Sequence, residues 1–256
     1  MQHETNDVRD RAAVAYLEQL LVDTQGRDTA DTWYCIAACT FAACNQAKYV
    51  ADVYRIAIKP HPSDIKYQQH VLKRIKEALL KTSVIYGIPR VINAFRALIT
   101  AIPTPEANET SSMRSHIKVP AELDERGLTY MRNIFRADLD PFLETMDNYW
   151  PDLRTLVVTT IYGYYQSDVS ILGPIITSQL NIATLMTMDV TAEVAWHMRG
   201  LIRNGGTRER IDYAFDMATR ICEICDLRLK NTMPKPEDVI NQERLFVPDK
   251  PLRAKI

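Results

Sequence analysis

The sequence predicts an all-α fold, and three observations carry that prediction. Apolar residues recur at helical spacing through most of the 256 residues. Glycine is scarce, 8 in the whole chain, where average usage gives about 18, so tight hairpins and glycine-rich loops are disfavoured. The stretch richest in β-branched residues, LRTLVVTTIYGYY at 153–165, has no neighbouring strand to pair with.

The elements follow in order. Residues 8–24 place Val14, Leu17, Leu20 and Leu21 on one face of a helix. Asp31-Thr32 starts the next helix, expected to run unbroken to Ile58; its Ala and Cys content suits close packing on several sides. Lys59-Pro60-His61-Pro62 stops it, because proline removes a donor and clashes with the preceding turn. Ser63 is the expected cap of a long helix ending at Tyr86. Gly87-Ile88-Pro89 breaks the chain before a helix over 91–102. Residues 103–120 hold three prolines and a Ser/Thr/Asn cluster, and read as a linker. Further helices are expected over 126–135, 141–150, 151–166, 171–188 and 191–203. Residues 151–166 open with a proline, which suits a helix start. Thr207 is placed as the cap of a helix over 208–229. From Met233 onward four prolines predict an extended tail over 233–256.

Charge and cysteine usage narrow the function. Lys plus Arg is 31 and Asp plus Glu is 32, a net charge of −1, which argues against a nucleic-acid partner. The apolar runs fall short of the ~18 residues that cross a bilayer, so no membrane partner is expected. Five cysteines and a polar N-terminus, MQHETNDVRD, point to free thiols in an intracellular setting, cytoplasmic or peroxisomal. The C-terminal Ala254-Lys255-Ile256 is a loose variant of the small-basic-aliphatic peroxisomal address. The five histidines are scattered, and neither H-x-x-x-H nor H-E-x-x-H occurs. No metal is expected.

The two halves read as a repeat. Tyr54-Arg55 and Trp196-His197, about 142 residues apart, each end a helix that a short turn and a long amphipathic helix follow. The sharpest segment is AWHMRGLIRNGGTRERI, 195–211. His197 can exchange protons near neutrality. Glu193, four residues earlier, shares its helix face and is the expected orienting partner. The plainer reading is a half-buried histidine beside a surface glutamate. Trp196 offers an apolar wall, and Arg199 and Arg203 offer charge to an anionic substrate. Tyr164 and Tyr165 either line a pocket or form an interface patch. Cys222-Glu223-Ile224-Cys225 lies late in a helix, where the dipole raises thiol pKa. Cys35, Cys39 and Cys44 read as small buried hydrophobes.

The segment Trp196-His197-Met198-Arg199-Gly200-Leu201-Ile202-Arg203-Asn204-Gly205-Gly206-Thr207-Arg208-Glu209 resembles the carboxymuconolactone decarboxylase signature, aromatic-His-Leu-x-Gly-Ala-x-Asn-x-Gly-Thr-x-Glu-Glu. Trp196, His197, Gly200, Asn204, Gly206, Thr207 and Glu209 match in spacing. Tyr86-Gly87-Ile88-Pro89-Arg90-Val91-Ile92-Asn93-Ala94 resembles a later element of the same family. Over about residues 30–230 the chain is thus similar to the divergent, eukaryotic-type two-repeat members of the AhpD-like superfamily. The resemblance implies an all-α, AhpD-like helical fold with two pseudo-symmetric repeats. Residues 1–102 and 121–232 would form them, joined by the 103–120 linker, with the His motif in the second and 233–256 as the tail. It further implies a homo-oligomer and a cofactor-independent lyase or proton-transfer enzyme acting on a small carboxylated or lactone-type substrate, with His197 as acid/base. The redox members carry C-x-x-C four residues before the histidine, where this chain has Val190 and Glu193. A thiol peroxidase is therefore a weaker alternative than a non-catalytic scaffold. The first-half counterpart of His197 is Tyr54 or Arg55, leaving one site per chain.

Overall fold

The computed structural model describes residues 2–27, 29–111, 120–149 and 154–246, and their regular structure is entirely helical. The first unit comprises α1 (Gln2–Thr24), α2 (Trp33–Ala43), α3 (Lys48–Ala57), α4 (Ile65–Tyr86) and α5 (Ile88–Ile99). Then come α6 (Pro120–Phe135), α7 (Leu139–Tyr149) and a π-helix (Leu156–Gln166). The last four are α8 (Pro174–Thr187), α9 (Thr191–Arg203), α10 (Arg208–Ile224) and α11 (Pro236–Phe246).

Several expected boundaries move. The helix expected over 32–58 is two helices. Asn45 takes a left-handed φ of 57°, which asparagine tolerates better than most residues. The Gln46 N–H then bonds back to the Phe41 carbonyl (2.9 Å), closing α2 as a Schellman-type C-terminus. Asp64, not Ser63, caps α4: its carboxylate accepts from the Tyr67 N–H at 3.1 Å. Gly87, at φ 89°, turns the chain directly into α5, as the Gly-Ile-Pro break requires. Thr207 stands at the start of α10 in extended geometry but makes no side-chain cap bond to the helix. That helix stops at Ile224, with Asp226 left-handed at φ 54°. The expected extended tail contains α11. Pro236 occupies the first helical position, where its missing N–H costs nothing, and Glu237 and Asp238 suit the positive helix start. Of the expected linker, residues 112–119 lie outside the described residues; Gln69 and Lys76 of α4 bond to Glu106, Asn108 and Glu109 ahead of them.

The order α2–α3–α4–α5 recurs as α8–α9–α10–α11. Asn45 after α2 corresponds to Asp189 after α8, both left-handed. The α2 closing bond has its counterpart in Val190 N–H to the Leu185 carbonyl (3.5 Å). Packing follows the same order. Helices α2 and α8 pack on each other, α2 also on α4 and α10, and α8 on α10 and α4. Helix α5 lies on α3 and α4, as α11 lies on α9 and α10. The second unit therefore reaches beyond residue 232 to include α11.

One large core joins these helices. A smaller aromatic core lies among α6, α7 and the π-helix, built on Tyr130, Met131, Phe135, Val158 and Tyr162. There Gly127 and Gly163 let two backbones meet. A Cβ on Gly127 would lie 2.2 Å from the Val158 carbonyl oxygen, and one on Gly163 would lie 2.2 Å from that of Leu123.

Candidate functional site

The site grows out of α8, whose residues Thr177–Thr187 are all buried. Its hydroxyls bond locally: Thr184 to the Leu180 carbonyl (2.8 Å) and Thr187 to that of Thr184 (2.7 Å). The amide of Asn181 reaches outward instead. Its Nδ2 lies 3.0 Å from Gln166 Oε1 and 3.3 Å from His197 Nδ1.

The donors can be assigned along this chain of bonds. Gln166 Nε2 donates to the Lys81 carbonyl (2.8 Å). Gln166 Oε1 is therefore the acceptor facing Asn181, and Asn181 Nδ2 is the donor. An amide nitrogen carries two hydrogens, so its second points at His197 Nδ1. That nitrogen accepts, and the ring proton sits on Nε2. Loss of solvent around the ring lowers the His197 pKa to about 4. At neutral pH the imidazole is neutral and presents an Nε2–H.

Lys81 anchors the far end. Its side chain is fully buried, and its Nζ donates to the carbonyls of Gln166 (2.7 Å) and Tyr165 (3.0 Å). Those are the last carbonyls of the π-helix, the end where a cation is favoured. Glu77, also buried, stands 3.9 Å away one turn back on α4. The polar chain thus runs from the first unit through the π-helix and α8 to α9. π-Helical turns are rare and recur at functional sites.

The expected site residues divide. His197 joins the polar chain. Glu193 does not hold its ring: it is exposed on the first turn of α9, where water and the helix start serve a carboxylate, and Asn181 takes the partner's place. Trp196 packs edge-on against Phe135 and Phe142, both at 5.7 Å. Arg199 and Arg203 are engaged with α11. Arg199 Nη2 donates to Gln242 Oε1 (3.2 Å). Arg203 forms a two-pronged pair with the buried Glu243 (2.7 and 2.9 Å) and donates to the Ile134 carbonyl (2.6 Å). Tyr164 and Tyr165 are half-buried at the π-helix end, with rings 5.1 Å apart; Tyr165 contributes its carbonyl to Lys81. Asn181, Gln166 and Lys81 were missed. The one sequence signal for them was an asparagine and a glutamine inside apolar runs.

In the register that pairs Asn45 with Asp189, the buried Val53 stands where His197 stands in the second unit, one residue before the expected Tyr54 or Arg55. Tyr54 is also buried, and its hydroxyl donates to the Gln68 carbonyl (3.3 Å). The place of Asn181 is taken by Ala37. Among the described residues no group of His, Cys, Asp and Glu is arranged to hold a metal ion. Within the same residues no helix is long and apolar enough to cross a membrane.

Fold and site together define an all-helical protein with a polar chain centred on one histidine. No family model and no solved structure matches it. The chain is similar to the Peroxisomal protein 2 of Schizosaccharomyces pombe, 27% identical over 199 residues that cover 77% of this chain and 88% of that protein. It is also similar to the Peroxisomal protein 2 of Saccharomyces cerevisiae, 22% identical over 259 aligned residues covering 79% of this chain and 92% of the yeast protein.

Proposed function

We propose that the chain is a peroxisomal, cofactor-independent enzyme of the carboxymuconolactone decarboxylase-like, AhpD-like type. It acts as a lyase or proton-transfer catalyst on a small carboxylated or lactone-type substrate. The observation that carries this is the neutral His197 with its Nε2–H fixed by Asn181. A neutral imidazole donor stabilises the oxyanion that develops on a carbonyl or lactone oxygen as a neighbouring C–C or C–H bond breaks. Three buried polar atoms on the same helix, Ser178 Oγ, Gln179 Oε1 and Asn181 Oδ1, have no partner among the described residues, a state that a bound water or ligand would relieve. The peroxisomal reading rests on the names of the two relatives; the Ala254-Lys255-Ile256 expected as an address lies outside the described residues.

A second reading, a non-catalytic scaffold, is favoured by Arg199 and Arg203 being tied to α11. Incubating the protein with a panel of small lactones and carboxylic acids separates the two. The enzyme reading expects turnover by the wild type and a loss of about 100-fold or more in His197→Ala. No binding and no turnover across the panel would leave the scaffold reading standing, and equal turnover by the variant would overturn the role given to His197.

A further inference from the structure

Two directions are chemically consistent for the amide chain behind His197. An amide presents donors at one end and an acceptor at the other. Read from α4, Gln166 Nε2 donates to the Lys81 carbonyl (2.8 Å), and Asn181 Nδ2 donates to both Gln166 Oε1 (3.0 Å) and His197 Nδ1 (3.3 Å). Turning both amides over would keep the two inner contacts. Gln166 Nε2 would donate to Asn181 Oδ1, His197 Nδ1–H would donate to the same oxygen, and the ring Nε2 would be bare. In the observed direction His197 is a proton donor; in the reverse direction it is a base.

The Lys81 end tells the two apart, because a main-chain carbonyl accepts and never donates. Reversal would set Gln166 Oε1 against that carbonyl across the 2.8 Å now spanned by a hydrogen bond, two acceptors with no proton between them. It would also turn the Asn181 amide hydrogens to the place where Oδ1 now has no partner among the described residues. Gln166 and Asn181 are each 2% exposed, so bulk water does not relieve the mismatch. The lock is reciprocal: Lys81 Nζ donates to the Gln166 carbonyl (2.7 Å) while Gln166 Nε2 donates to the Lys81 carbonyl. Lys81 belongs to α4 of the first unit, and the ring at the other end of the chain to α9 of the second.

We propose that Gln166 is a positioning residue, and that its lock with Lys81 sets the direction of the amide chain so that His197 works as a proton donor and not as a base. Its catalytic meaning rests on the enzyme reading above; the place of the ring proton does not. The first unit thereby fixes the proton of a histidine that lies in the second.

The test is the proton position on the His197 ring, read by proton–nitrogen correlation spectra of the intact, substrate-free chain at pH 7 in three variants. Gln166→Glu still offers Asn181 an acceptor oxygen in either protonation state, and should keep the proton on Nε2. Gln166→Leu removes both the acceptor and the lock, and a second ring form protonated on Nδ1 should appear. Asn181→Asp sets an acceptor against Nδ1, which should become protonated. A proton confined to Nε2 in Gln166→Leu, displaced from Nε2 in Gln166→Glu, or absent from Nδ1 in Asn181→Asp would overturn the proposal; if Gln166→Leu does not fold, the other two variants decide it. Where a lactone or carboxylic acid is turned over, Gln166→Leu should lower kcat by roughly 10-fold or more with KM within about twofold of wild type. An unchanged kcat in that variant, beside a loss in His197→Ala, would overturn the proposal and spare the enzyme reading. No turnover by the wild type counts against the enzyme reading alone, and the spectra still decide where the lock puts the proton.

Discussion

Asn181 uses one amide nitrogen twice, and the chemistry of His197 depends on that. With Nδ1 accepting, the ring has a defined tautomer, and without a carboxylate beside it the charged form is disfavoured. The consequence for pH has a definite sign. The folded value, about 4, lies below the ordinary 6.5, so between these pH values the unfolded chain binds more protons than the native state. Stability tied to the neutral ring is present above pH 6.5 and lost as pH falls toward 4, by about 2 kcal/mol between pH 7 and pH 5. In His197→Gln the unfolding free energy from urea titrations should fall by that much less over the same interval. Equal acid sensitivity in variant and wild type would show that the ring titrates normally. His197 was legible in the sequence because its motif is local. Its true partner was not, since Asn181 and Gln166 come from other elements and a one-turn spacing favoured Glu193.

Close approaches and one buried ion pair decide how the elements sit. At the crossing of α6 and the π-helix each glycine faces a backbone carbonyl, which cannot swing aside as a side chain can. Gly163→Ala should lower stability by about 1–3 kcal/mol. Gly173→Ala, with nothing within 4 Å of its Cβ, should be close to neutral; denaturant midpoints of the two variants test the contrast. Helix α11 hangs on Arg203. Truncating it leaves Glu243, 4% exposed, with only the more distant Arg136 at 3.8 Å. Arg203→Ala should cost about 3–5 kcal/mol and speed amide exchange selectively in α11. The helical class and the breaks at Pro60 and Gly87 were legible because proline and glycine announce themselves. The split after α2 was not, because an asparagine in a left-handed turn looks ordinary in sequence. Neither was α11, because its proline marks a helix start and read as part of an extended tail.

Across the whole molecule the two units share a helix order but not a site: Asn181 and His197 in one stand where Ala37 and Val53 stand in the other. The first unit still contributes, because Lys81 and Glu77 of α4 anchor the polar chain that reaches α9. That joint construction was not readable from motifs, each confined to one half. We propose a homo-oligomer, supported by Leu156 and Val169, which are exposed on either side of the half-buried Tyr164 and Tyr165. Light scattering at micromolar concentration should give a multiple of 29.3 kDa, and a monomer mass would refute it. This polar chain holds His197 neutral with its proton on Nε2. Long-range proton–nitrogen correlation spectra of the intact chain at pH 7, with the ring assigned by its loss in His197→Gln, measure that directly. The predicted result is a protonated Nε2 and an unprotonated Nδ1, persisting as the pH is lowered to about 5. A proton on Nδ1, or on both nitrogens, would contradict it.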